Sequence, residues 1–126
     1  MPVLIEPIDV LRLKQRREFL RVAGAGQKSV MPGLILQARP HSPEETGADG
    51  GGFRLGFTVS RKVGGAVDRN RAKRRLRAAA DRVMPRHASG GNDFVLIGRR
   101  ATLKRRFPAL LGDLETALRK LDAYNE

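Results

Sequence analysis

The sequence predicts an α+β fold, a single sheet with helices packed mainly on one face in a two-layer sandwich. Three observations lead there. Phe53 to Ser60 alternates with period two; Ala72, Leu76, Ala79 and Val83 recur at spacings of four, three and four; and Phe107, Leu110, Leu111, Leu114, Leu118 and Leu121 form one stripe at helical spacing. The element order is helix, strands, helix, strand, helix, with no internal repeat. A chain of 126 residues has room for one core, so it is read as a single domain over 1–126 with its core over about 11–121.

Leu13 to Ala23 reads as a short amphipathic helix closed by Gly24 and Gly26, with Phe19, Val22 and Ala23 on one side. Leu34 to Ala38 is an apolar run of strand length. It is expected to pair antiparallel with the strand over 53–60, which places Phe53, Leu55, Phe57 and Val59 on one face. Between them, Pro40 to Gly52 carries three acids, no Lys or Arg, and a Gly-rich end, and is read as a flexible hairpin loop. A second helix spans Val67 to Val83, with Asp68 placed to cap free amides and meet the positive end of the helix dipole. Pro85 and the Ala88-Ser89-Gly90-Gly91-Asn92 stretch end it, and Asp93 to Gly98 follows as a buried strand. The closing helix tolerates Pro108 in its first turn and carries Gly112 as a mild defect.

Hydrophobic residues make up 40% of the chain and aromatics 5%, so the core is aliphatic and any exposed Phe is informative. Lys plus Arg number 25 against 13 Asp plus Glu, a formal charge of 25 − 13 = +12. Such a chain seeks a polyanion. A membrane surface is disfavoured, because no basic amphipathic helix carries Trp or Phe on its apolar side and no apolar run has spanning length. The first residues lack the basic start and cleavage site of a secretory signal, so a cytoplasmic protein is expected. There is no cysteine, and His41 and His87 lie away from any carboxylate cluster, so neither a metal site nor a nucleophile is expected in the protein itself.

The functional signal is concentrated between Arg61 and Arg77, where eight of the 25 basic residues fall in 17 positions with one acid. At about 100° per residue, Asn70, Arg74 and Arg77 fall on one side of the helix and Arg71 and Arg75 on another. Arginine holds two phosphate oxygens in its planar fork and stacks on bases, and Asn70 offers a neutral donor and acceptor for a 2′-hydroxyl or base edge. The plain alternative is a solvated helix face. Such faces mix signs, however, and from Arg69 to Arg77 there is no acid. The counter-charge must come from a partner, and structured RNA fits best.

The stretch from Phe53 to Arg77, with Ser60-Arg61-Lys62, a Gly64-Gly65 loop and Arg69-Asn70-Arg71 in sequence, resembles the signature of the bacterial ribonuclease P protein subunit. The similarity reaches outward to Leu13–Phe19, to Asp93–Ile97 and to the closing helix, spanning roughly 11–121. The resemblance implies a ribonucleoprotein in which the RNA, holding most of the Mg²⁺, cuts precursor tRNA to create its mature 5′ end, while the protein assists and supplies no catalytic residue or metal ligand. It further implies phosphate contacts with the catalytic RNA from Arg61, Lys62, Arg69, Arg71, Lys73, Arg74 and Arg77, and a role for Asn70 in ordering the metal-rich surroundings. A cleft between the first helix and the sheet would hold the single-stranded 5′ leader, with a base stacked on Phe19. Ala23 stands where family members often carry a second aromatic, and the insertion over 40–52 is longer than usual. The resemblance also implies a left-handed crossover between two parallel strands around the Arg-Asn-Arg helix, against the usual hand. Neither a membrane nor an obligate protein partner is implied.

Without the resemblance, Phe19 alone on a short amphipathic helix reads as core. Arg99, Arg100, Lys104, Arg105 and Arg106 form either a secondary RNA contact or a solvated turn. An architectural RNA-binding protein, such as a ribosomal protein, explains the charge equally well, but not the joint occurrence of basic loop, Arg-Asn-Arg helix and N-terminal helix in this order. An autonomous nuclease needs clustered carboxylates or a His pair, and Asp81, Asp93 and Glu115 are scattered along the chain.

Overall fold

The computed structural model describes residues 10–13, 15–24, 27–40 and 52–125. In chain order these form β1 (Val10–Arg12), α1 (Arg16–Gly24), β2 (Lys28–Val30), β3 (Leu34–Pro40), β4 (Phe53–Thr58), α2 (Ala66–His87), β5 (Asn92–Gly98) and α3 (Phe107–Lys120), with 3-10 turns at Arg61–Val63 and Arg100–Leu103. The strands make one sheet in the order β1-β4-β5-β3-β2. β4 runs parallel to both β1 and β5, and β3 runs antiparallel to both β5 and β2.

This order corrects the expected hairpin. β3 and β4 do not pair; β5 lies between them, matching Leu36 to Leu96 on one side and Phe57 to Leu96 on the other. The reason is burial. Asp93, Phe94, Val95 and Leu96 are all buried in succession, so both faces of β5 are covered and the strand belongs at the centre. The segment after β3 is therefore a connection between strands that are not neighbours, and its residues 41–51 lie outside the described residues. β1 and β2, three residues each, escaped the periodicity reading. The Pro32-Gly33 pair before β3 is the turn signal that would have revealed β2.

Successive side chains alternate between the two faces of the sheet. One face presents Leu34, Leu36, Phe53, Leu55, Phe94 and Leu96, buried against Leu76 and Met84 of α2 and Leu110, Leu114 and Leu118 of α3. Phe53 and Phe94 meet edge to face at 5.8 Å between centroids, at the middle of this layer. The result is the two-layer arrangement that the pattern predicts. β4, α2 and β5 form the parallel crossover unit implied by the family resemblance. Among the described residues the opposite face carries only α1, docked through a small cluster of Leu13, Val22 and Val95 with Phe19 and Ile97 at its edge.

Helix ends differ from expectation in three places. α1 begins at Arg16, with Leu13 upstream and buried; the Glu18 carboxylate accepts the Gln15 N–H at 2.9 Å, half of a capping box. At the start of α2 the cap is Gly65, without a side-chain bond, and Asp68 sits inside the first turn, where it complements the dipole rather than capping. Its carboxylate lies against Gly64, whose φ of +153° and lack of Cβ permit the approach. Nor does Pro85 end α2. Its missing N–H removes one bond, but the helix continues to His87 and closes with Ala88 N–H donating to the Met84 carbonyl at 2.9 Å. Among the described residues no helix is long and apolar enough to cross a membrane.

Candidate nucleic-acid interface

The buried stripe of α2, namely Ala72, Leu76, Ala79, Ala80, Val83 and Met84, fixes which side chains face outward. Asn70, Arg71 and Arg74 are exposed, as are Arg61 and Lys62 on the 3-10 turn that leads from β4 into the helix. Lys73, Arg69 and Arg77 are half-buried at the margins of the stripe. The Nε atoms of Arg69 and Arg77 are shielded from solvent and have no hydrogen-bond partner. Arg77 lays its guanidinium over the Phe57 ring at 5.5 Å from the centroid. Among the described residues, none of these seven cations forms an ion pair; those present involve Arg39, Arg54 and Arg105. The turn bearing Lys62 is held by Arg100, whose Nε donates to the Lys62 carbonyl at 2.8 Å.

Other basic residues close to this surface are engaged internally. Arg75 donates Nε to the Thr102 carbonyl at 2.8 Å and a terminal nitrogen to the Arg105 carbonyl. Arg99 donates to the Met31 carbonyl at 2.7 Å, and Arg105 makes a two-point pair with Asp113 at 3.0 Å each. So Arg75, Arg99 and Arg105 join α2, the second 3-10 turn, the β2–β3 turn and α3. Only Lys104 and Arg106 of that cluster stand exposed without such ties.

Phe19 is on the other side of the sheet, in a groove of about 560 Å³ between α1 and strands β3, β4 and β5. Arg16, Leu20 and Ala23 line the helix wall; Gln37, Val95, Ile97, Phe57 and Thr58 line the sheet side. Leu20 is 57% exposed, an apolar rim next to the aromatic. The sequence singled out Phe19 and Ala23 but not Phe57 or Gln37. Phe57 contributes to this groove and also carries Arg77, so the groove and the basic helix meet there. Among the described residues the pairing of β1 with β4 ends at Arg12 opposite Leu55, before Phe57 and Thr58.

Gly56 lets α1 approach. A Cβ built there would stand 2.6 Å from the Phe19 ring and 3.1 Å from Leu13 Cβ. Gly56→Ala is therefore expected to swing the Phe19 ring out of the groove at a stability cost of about 1 kcal/mol, the low end for overpacking because the ring is free to turn. Chemical denaturation, together with anisotropy of a labelled single-stranded oligonucleotide, checks both effects. A loss of oligonucleotide binding with a urea midpoint lowered by roughly 0.3–1 M, the shift that about 1 kcal/mol produces, is the predicted outcome.

A model of the family described as Ribonuclease P matches residues 9–122. The chain belongs to the ribonuclease P protein family. A relative in Paramagnetospirillum magneticum named "Ribonuclease P protein component" is 54% identical over 115 residues, covering 91% of this chain and 85% of its own. One of the same name in Gluconacetobacter diazotrophicus is 50% identical, with 86% and 89% covered. The solved Staphylococcus aureus RNase P protein superposes with a TM-score of 0.72 at 25% identity, over 93% of this chain and all of that one. The Thermotoga maritima RNase P protein gives 0.65 at 29% identity, over 82% and 90%. The family thus supplies a protein component of a tRNA-processing ribonuclease, and the resemblance carried by Phe53 to Arg77 named that family.

Among the described residues no three His, Asp or Glu side chains converge as a metal site. Asp93 and Asp113, the two buried carboxylates, are each gripped by an arginine fork. The basic surface places unpaired cations next to an aromatic-lined groove, and among the described residues neither presents an acid–base pair.

Proposed function

We propose that this chain binds the catalytic RNA of ribonuclease P through Arg61, Lys62, Arg69, Asn70, Arg71, Lys73, Arg74 and Arg77, and the single-stranded 5′ leader of precursor tRNA through the groove at Phe19. It thereby assists Mg²⁺-dependent endonucleolytic maturation of the tRNA 5′ end, acting as a single RNA-binding domain in the cytoplasm. The Mg²⁺ and the groups that break the phosphodiester belong to the RNA. This division of labour suits a chain whose buried carboxylates are already neutralised by arginine.

The observation that carries the reading is the row of outward cations on α2 and its preceding turn, without a carboxylate partner among the described residues and adjoining a groove lined by Phe19 and Phe57 with an apolar rim. Phosphate contacts supply affinity and stacking holds unpaired bases. The test is cleavage of precursor tRNA at low Mg²⁺. Protein added to ribonuclease P RNA is expected to raise the rate, and protein alone to cut nothing. Cleavage without the RNA refutes the assignment of chemistry to the RNA, and no gain with it refutes the assignment of function.

A further inference from the structure

Resting on the groove reading above, we propose that Arg54 is a positioning residue: with Glu18 and Asp93 it forms an ionic clamp that sets the height of α1 over the sheet, and with it the width of the groove that receives a single strand. Arg39, Asp93 and Arg54 are direct neighbours across β3, β5 and β4, a charged row on the sheet face beneath α1. Arg54 donates Nε and one terminal nitrogen to the two Asp93 oxygens at 2.7 Å each, and its other terminal nitrogen to Glu18 at 2.9 Å. Arg39 approaches Asp93 at 3.5 Å from the other side. Asp93 is only 1% exposed, so its charge depends on these partners.

The next row on the same face, two residues along each strand, is Gln37, Val95 and Gly56. Gln37 and Val95 form the groove floor, and Gly56 is where Phe19 presses against the backbone. Glu18 and Phe19 are adjacent in α1, so the ion pair at one residue and the ring contact at the next act on the same turn. The same Glu18 carboxylate also accepts the Gln15 N–H at 2.9 Å. A nine-residue helix is not stable in isolation, and the apolar cluster under α1 has three buried members, while Leu20 points to solvent. The planar guanidinium reaches both carboxylates at once, which a lysine ammonium on a single flexible stem does not reproduce.

The experiment uses holoenzyme reconstituted with ribonuclease P RNA and two precursor tRNAs, one with an extended single-stranded leader and one with the leader cut back to a single nucleotide. Arg54→Lys is expected to weaken binding of the long-leader substrate about tenfold, as misplacement of a positioning wall does, with kcat, protein–RNA assembly and short-leader binding unchanged. Glu18→Ala is expected to cost about fivefold and Glu18→Gln about twofold, since the amide keeps an oxygen for Arg54. The Glu18 variants alter a helix on the sheet surface, so they decide the matter if Arg54 variants fail to fold. Hydrogen exchange of the α1 amides in the isolated protein should speed up in the same order while α2 and α3 are unaffected.

Equal losses on both substrates, or no loss on either, overturn the clamp. If the wild-type protein does not distinguish the two leaders, the groove reading fails and the proposed link to substrate fails with it, whatever the exchange shows. Unchanged α1 exchange with wild-type leader preference intact removes the clamp alone.

Discussion

Replacing Arg71 and Arg74 together by alanine is expected to lower affinity for ribonuclease P RNA by roughly tenfold to a hundredfold, the equivalent of about 1.5–3 kcal/mol for two charge-assisted phosphate contacts. Both residues are exposed on the outer side of α2 and neither pairs with an acid among the described residues. Each contact with a phosphate releases counterions, so the slope of log affinity against log salt should become shallower by about 1.4–1.8. Folding should not suffer. Like charges three residues apart on a helix repel, and their removal is worth a few tenths of a kcal/mol to the free protein, about 0.2–0.5. Arg75→Ala is the control, since it removes the same charge one residue further on. Because Arg75 is bonded to the Thr102 and Arg105 carbonyls, that variant should lose stability and leave the salt slope nearly unchanged. Filter-binding or anisotropy titrations across a salt series, with thermal melts of each variant, read all three. An unchanged slope in the double variant would remove this face from the RNA contact.

The contrast between Arg74 and Arg75 also marks what a one-dimensional reading can find. Helical periodicity located the buried stripe of α2 at Ala72, Leu76, Ala79 and Val83, and all four are buried. The same periodicity gives the outward direction of Arg71 and Arg74 without further information. It does not say that the carbonyls of Thr102 and Arg105, distant in sequence, arrive beside Arg75. Strand pairing failed for the same reason. Residues 34–38 and 53–60 are consecutive strands, and a hairpin is the short-range solution, but covering both faces of Phe94-Val95-Leu96 is worth more than a local connection. The groove is the least legible part. Phe19 was chosen through a family resemblance, whereas Phe57 lines the groove beside it through a strand arrangement that no local pattern reports. Charge, being additive over local sequence, was readable; concavity depends on which edges remain uncovered, and was not.

Asp113→Ala is expected to destabilise the protein by about 3 kcal/mol, within the range for breaking a buried ion pair and discounted because Arg105 is partly exposed. Asp113 sits one residue before Leu114 of the apolar stripe, and in the fold it is 4% exposed. Its Oδ2 accepts the Gly33 N–H at 2.9 Å and Arg105 Nε at 3.0 Å, and its Oδ1 accepts a terminal nitrogen of Arg105 at 3.0 Å. Gly33 is the only residue type that fits there, because a Cβ would stand 2.6 Å from that carboxylate and 2.8 Å from Leu110. Thr102 completes the junction by donating its hydroxyl to the Gly33 carbonyl at 2.6 Å and accepting the Arg99 N–H at 2.9 Å. Loss of Asp113 thus leaves a buried N–H without a partner and a half-buried guanidinium without its counter-charge, at the point where the β2–β3 turn, the second 3-10 turn and α3 meet. For a chain of this size a drop in melting temperature of roughly 10–15 °C corresponds to that loss. Asp113→Asn keeps an acceptor for Gly33 and should cost less than half as much. The RNA-facing residues of α2 are untouched, so below its lowered melting temperature the Ala variant should still bind ribonuclease P RNA with its salt slope intact. A melting temperature within about 2 °C of the parent would mean the junction is replaced by water at little cost, and that the close packing of Gly33 rather than the carboxylate holds the turn.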